Sequence, residues 1–488
     1  ENYPVARTYF EPLSSRASLS SDAITQDAYV RTADVLYMNR NYAQARTMYD
    51  NVINYSWSSE DYATFQKAMI AGITNSSEKI SLLNTMMRKF PGSNLVGDAN
   101  FEIANTYLGE EKYREAIPFL NNIISATSNS SLKPQSHLKL GIAYYNLNNA
   151  DNAIVQYKLL LQRYPDSEEA EAALESLKAI YVEQGRPGEF ADVARDAGRP
   201  ISVSAEDSLT FAAAELRYES GNMNAALEAL NTYLQRFPTG ANAIQAHYMR
   251  AEIYGVRKDF TNALTNYAVV AERAPNPFAE RSVLQAARIS FFEIKNYTEA
   301  EKYYAQLKQI TASQENRLEA MRGLLRSQYQ LKKWTETVAN AKDLIAQKGS
   351  SSDDKALANM AIGKSAQVNG EYDVAINSFK QVVAVNKAAL AAEARYEIAN
   401  SWLIVNRLGD AEKAAFEVIN KSGSYDWWVT KSYILLGDIF LRQKDYFNAK
   451  ATFQSIVDNT LNMELKAEAQ SKLDKVIEEE SRSSKVGM

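Results

Sequence analysis

Two histidines, His137 and His247, are the only imidazoles in the 488 residues, and there is no cysteine. Imidazole and thiolate are the usual zinc ligands and a common base and nucleophile, so little of that chemistry is open to this sequence. The histidines stand far apart, neither beside a second ligand or an evident nucleophile, and no metal or catalytic role is expected of either. No Gly-rich phosphate-cradling loop occurs, and nothing calls for a cofactor. What remains is recognition chemistry. Asn105 and Asn400 close the same string, Glu-Ile-Ala-Asn, at 102–105 and 397–400. A carboxamide both donates and accepts, so it can pair with a peptide backbone, or else tie neighbouring helices together. Trp427 and Trp428, beside Tyr425, form the most aromatic spot. Exposed, such a pair anchors an interface; buried, it packs on a neighbouring element.

The elements that must hold these residues follow from composition and periodicity. An apolar fraction of 46% with 10% aromatic residues supplies a core, so a largely disordered chain is not expected. Acidic and basic residues, 59 against 54, nearly balance and form no long run of one sign. A nucleic-acid partner, which needs a basic face to displace phosphate counterions, is therefore not expected. The longest apolar stretches fall short of the roughly 20 residues of a membrane-spanning helix.

One pattern recurs along the whole chain: an aromatic residue, two variable residues and a small one, at a turn between two helical stretches. It reads Asn-Tyr-x-x-Ala at 2–6, 41–45 and 296–300, with variants at Tyr113 to Ala116, Phe260 to Ala263, Tyr372 to Ala375 and Tyr446 to Ala449. Weaker copies fall around Ile80, Ala153, Ala191, Ala226, Thr337 and Ala411. The small residue returns about every 37 residues, the period of a helical-hairpin array. On either side apolar residues recur at three- and four-residue steps, as in Leu436, Gly437 and Phe440 before Tyr446, and Ala449, Phe453 and Ile456 after it. Gly141, Gly363, Gly437, Ala104 and Ala251 are expected where the paired helices cross closest, faced by residues such as Ala116 and Ala449.

Phe90-Pro91-Gly92-Ser93, Tyr164-Pro165-Asp166-Ser167, Phe237-Pro238-Thr239-Gly240 and Pro275-Asn276-Pro277 separate the units, since proline stops a helix and Ser, Thr or Asp caps the next. Between Gln184 and Ala205 the pattern weakens, which marks either an imperfect unit or a joint in the array. The expected organisation is an array over 1–198 that opens midway through a hairpin, a continuing array over 199–463, and a capping helix and tail over 464–488. The opening half-hairpin, without an initiator Met, suggests a piece of a longer protein with more repeats upstream.

These residues resemble the tetratricopeptide repeat family over essentially the whole chain. The resemblance implies an all-α, right-handed α-solenoid, a superhelix of about 12–13 helical hairpins. Tyr164-Pro165-Asp166-Ser167-Glu168-Glu169-Ala170 is similar to repeats of bacterial envelope proteins, including outer-membrane-assembly and Tol-Pal accessory members, and the Tyr- and Asn-rich wording to long repeat proteins of Bacteroidetes. A periplasmic or outer-membrane-associated protein is implied, with a cytoplasmic one as the alternative. In this family ligands lie on the concave face lined by the first helix of each hairpin. That register puts Tyr37, Phe101, Asn105, Leu108, Tyr145, Tyr396, Asn400 and Leu403 on or near the face, with Trp427 and Trp428 as a further aromatic candidate. Asn105 has no obvious matching lysine pair, which disfavours a clamp for C-terminal carboxylates. The implied function is a non-enzymatic scaffold for partner proteins or peptides. A docking arm of a larger enzyme and a small-ligand or glycan binder stay open as alternatives.

Overall fold

The computed structural model describes residues 3–15, 22–126, 131–423 and 425–486. Asn2, in the first copy of the repeated string, lies outside them. Among the described residues the chain is all α-helical, and it divides into two compact units, Glu1–Ala241 and Asn242–Met488. The first unit is a single helix, Tyr3–Ser14, followed by six hairpins, from Ala23–Met38 with Tyr42–Asn54 to Val203–Glu219 with Met223–Arg236. The second has six hairpins, from Ala243–Val256 with Phe260–Glu272 to Asp426–Arg442 with Tyr446–Asn459, and then the helix Met463–Val486. This is the tandem-hairpin architecture of a helical-repeat solenoid.

One turn closes almost every hairpin. Two residues before the second helix the backbone enters the left-handed region, at Arg40, Glu111, Asn148, Gly185, Gly221, Lys258, Lys295, Lys332, Gly370, Asn406 and Lys444. The N–H groups of that residue and the next bond back to the end of the first helix: Asn148 to the Tyr145 carbonyl at 2.9 Å and Asn149 to the Tyr144 carbonyl at 2.9 Å. The same Asn149 opens the next helix, its side chain accepting from the Asn152 N–H. Asn222, Asp259, Asn296 and Asp445 cap in the same way, which explains the Asn before Tyr297 in the repeated string. A left-handed residue other than glycine costs about 1–2 kcal/mol. Arg40, Lys258, Lys295, Lys332 and Lys444 recover part of that by placing a cation at the negative end of the first helix.

The packing between paired helices depends on one position in each. In nine of the twelve hairpins the seventh residue after the start of the second helix is large, Tyr49, Leu83, Leu120, Tyr157, Leu230, Tyr267, Tyr304, Phe379 or Phe453, each essentially buried; in the other three it is Ala194, Ala341 or Ala415. A buried ring contributes on the order of 4–6 kcal/mol before the entropy of ordering it is subtracted. The glycines at the crossings face these rings rather than the small residues of the second helix. A Cβ on Gly141 would collide with the Tyr157 ring, on Gly363 with Phe379, and on Gly437 with Phe453. In the hairpin Gln314–Gln330 with Trp334–Ala346 the sizes are exchanged: Leu325 and Ala341 share a core cluster. Gly323, two positions earlier, makes room for Tyr304 from the preceding hairpin.

Two repeat markers shift by one residue. In Ser76–Lys89 and Pro187–Asp196 the position of the small residue is held by Lys79 and Phe190, not by Ile80 and Ala191. Phe190 is buried, and Lys79 reaches Glu102 at 2.6 Å. The weak segment at 184–205 still forms a hairpin, of Glu168–Gln184 and the short Pro187–Asp196. In the last helix Leu465, Ala469, Leu473 and Val476 are buried against Ile434, Phe453 and Ile456, at the spacing of one helical face.

Candidate partner-binding surface

First helices touch the first helix of the next hairpin as well as their own partner, so within each unit they form a row. The row in Asn242–Met488 is bridged by charge. Arg281 meets Glu252 at 2.6 Å, Arg288 grips Glu319 through Nε and Nη2 at 2.5 and 2.6 Å, and Arg322 grips the buried Asp354 in the same forked way. Lys364 lies 2.6 Å from Glu397 and 3.0 Å from Glu393. Burial works against the Lys364 charge, but Glu397 and Glu393 outweigh it and hold the ammonium above its ordinary value. The Arg322 hydrogen bonds hold the Asp354 carboxyl below the usual carboxylate range.

One first helix breaks the regular register. From Gly141 to Asn148, Ala251 to Lys258 and Gly437 to Lys444 the step from crossing to turn is the same; from Ala287 to Lys295 it is one residue longer. The extra residue is absorbed by a π-helical turn, Ile289–Glu293, whose mark is the Ile294 N–H bonded to the Ile289 carbonyl at 2.9 Å. It sends adjacent phenylalanines into two neighbouring pockets. Phe291 joins Leu325, Tyr329, Leu357, Met360 and Ala361 around a cavity of about 260 Å³, with Arg326, Gln330, Lys364 and Glu393 as its polar lining. Phe292, 54% exposed, joins Val256, Phe260, Tyr267 and Ile289 around one of about 480 Å³, with Glu252, Gln285, Arg288 and Glu293. Four successive first helices line the first pocket, so a segment lying across the row meets it.

The residues expected from sequence do not gather at one place. Tyr37 is half-buried edge-on against Tyr42 at its own hairpin turn. Phe101 carries Lys139 over its ring at 5.4 Å, and Leu108 packs beside it on the Ala104, Leu120 and Leu140 core. Asn105 turns a buried Oδ1 inward, without a hydrogen-bond partner among the described residues, so that oxygen is not offered to a ligand. Tyr145 is exposed and donates to Glu183 at 2.9 Å. Tyr396 lies against Trp428, centroids 5.4 Å apart, and burial pushes its hydroxyl pKa up. Asn400 turns to Glu397 of its own helix at 3.4 Å. Leu403 is a core residue, packed with Ala399, Ala411 and Leu436. Of the tryptophans, Trp427 has the free surface, while Trp428 packs on the preceding hairpin.

The histidines turn out to be one device used twice. His137 Nδ1 lies 2.9 Å from Gln156 Oε1 and His247 Nδ1 2.9 Å from Asn266 Oδ1, at the same sequence separation. Each ring tethers a first helix to an amide on the second, and burial lowers the pKa of both. Among the described residues no group of three or more His, Asp or Glu is placed to hold a metal ion. No helix among them is long and apolar enough to cross a membrane.

Tetratricopeptide repeat profiles match residues 360–426 and, with a second profile, 27–56, 135–167 and 431–459. The chain is a tetratricopeptide-repeat protein. No curated protein sequence matches it. Similar solved structures include Naa15/Naa10 bound to HypK-THB, 13% identical over 99% of this chain and 95% of that one with a TM-score of 0.37. Yeast Tom70 is 13% identical over 93% and 96%, with a TM-score of 0.33. A tetratricopeptide repeat protein from Parabacteroides merdae is 14% identical over 56% and 98%, with a TM-score of 0.31. Proteins built from tetratricopeptide repeats are typically non-catalytic scaffolds, and this repeat protein is one that takes other proteins or peptides as partners.

Proposed function

We propose that this tetratricopeptide-repeat protein holds a partner polypeptide on the concave face made by its first helices, with the pockets at the π-helical turn as the main anchor. The observation that carries the reading is the pair Phe291 and Phe292, which the extra residue turns into two apolar pockets lined mainly by first helices. A rigid row of helices keeps the pockets in place before the partner arrives, which lowers the ordering cost of binding. Exposed Tyr145 and Trp427 are secondary contact points on the same kind of helix. The setting we propose is the bacterial cell envelope, in its assembly or maintenance, supported by the envelope-type wording of Tyr164 to Ala170.

A photo-crosslinking amino acid placed at Phe292 in native cells tests the face, with Phe447, exposed on a second helix, as the control. A discrete partner captured at 292 and not at 447 is the expected result. Equal capture at both, or none at either, would sink the reading. Recovery of the chain in the cytosolic fraction after gentle lysis of the periplasm would count against the envelope setting alone.

A further inference from the structure

The two pockets at the π-helical turn differ in charge. Around the Phe291 pocket, Lys364 is neutralised by Glu393 and Glu397, while Arg326 is exposed and makes no ion pair or hydrogen bond among the described residues. Around the Phe292 pocket, Glu252 is neutralised by Arg281 and Arg288 by Glu319, while Glu293 is exposed and equally unpaired. Among the charged residues that line the two pockets, these are the two without a partner among the described residues, and they are opposite in sign, one at each pocket. A cavity of about 260 Å³ is below the range of ordinary small-molecule sites and suits a single side chain.

We propose that the two pockets form one bipartite site for a linear polypeptide segment with two large apolar side chains, an acidic residue beside the one that meets Arg326 and a basic residue beside the one that meets Glu293. The apolar contacts supply affinity. The opposed charges set the direction in which the segment lies, because the reversed orientation brings like charges together at both ends. The neighbouring carboxylates and guanidinia are already engaged with each other, so they contribute little to the choice.

The inference rests on the first-helix face being the binding surface, and the test separates the two. Random linear peptides displayed on phage are selected against the full chain, and the enriched peptides are titrated by fluorescence anisotropy. The expected yield is peptides with two large apolar residues, one next to Asp or Glu and the other next to Lys or Arg. Phe292→Ser weakens them roughly tenfold or more, as for a central aromatic anchor. Arg326→Glu and Glu293→Lys each weaken them by roughly fivefold, the upper end for an exposed ion pair, and binding returns when the matching charge on the peptide is reversed. All three side chains are exposed, so the variants keep the wild-type melting curve. Peptides enriched without the charge pattern, or indifferent to both reversals, overturn the inference and leave the scaffold reading intact. No enrichment while a crosslinker at 292 still captures a partner overturns the linear segment alone. Silence in both overturns the two together.

Discussion

Residues Glu1–Ala241 and Asn242–Met488 repeat the same hairpin but bind successive first helices by different chemistry. In the first unit the links are phenols, aromatic faces and carbonyls: Tyr62 donates to Asp34 at 3.0 Å, Lys139 covers Phe101, Tyr145 donates to Glu183, and Arg217 donates to the Gln184 carbonyl at 2.7 Å. In the second unit the steps from Glu252 to Glu397 are ion pairs, single at Arg281, forked at Arg288 and Arg322 and doubled at Lys364, and Asp438 with Lys472 carries the same chemistry into the last helix. The two units show that the hairpin's internal packing and the joint between hairpins are separate problems. A small residue against a large one solves the first in most hairpins of both units. The second is solved by whatever polar groups meet, and where they are all used up, as around the π-helical turn, an unpaired charge stands out.

The largest effect expected is from the internal packing, and it should be alike in the two units. Phe379→Ala and Tyr157→Ala are each expected to cost about 3–5 kcal/mol, read by urea denaturation with hydrogen exchange assigning the loss to the unit mutated. A loss spread evenly over both units would break the comparison. Asp354→Ala removes both a forked partner of Arg322 and a capping box, and about 1.5–3 kcal/mol should go, the usual worth of hydrogen bonds to a charged group. Its carboxyl is held below the unfolded value, so this contribution is full above that value and drains away as pH falls through the folded one. An Asp354→Ala chain that melts like wild type at neutral pH would show that the charged joint is not stabilising.

The turn offers a smaller test. Lys332→Gly relieves a left-handed lysine and Gly370→Ala creates a left-handed alanine, so changes of about 1 kcal/mol in opposite directions are expected in thermal melts. The smallest effect belongs to the histidines, one in each unit. Both are held below their unfolded pKa, so the unfolded chain binds more protons and stability should fall as pH drops below about 6.5. Replacing His137 and His247 together by Gln should flatten that part of the melting-temperature profile. A profile unchanged by the double variant would refute the tethering role.

The hairpins, their period of about 37 residues and the core position of the rings are legible in the order of amino acids, because each rests on contacts local to one hairpin and repeated along the chain. Even the glycines were legible there, although the rings they face were not, since spacing along a helix does not say which side chain fills a gap. The left-handed turn leaves a signal in the Lys, Asn or Gly two residues before most second helices, weaker than the aromatic one because Arg40 and Glu111 hold the same place. The rest is set by how the hairpins stack. The π-helical turn is hidden because one residue gained between Ala287 and Lys295 leaves the step from Ala263 to Ala300 no different from the repeat period. Whether Leu403 is core, Trp428 packed or Arg326 unpaired depends on side chains about thirty or more residues away along the chain, brought close only by stacking one hairpin on the next.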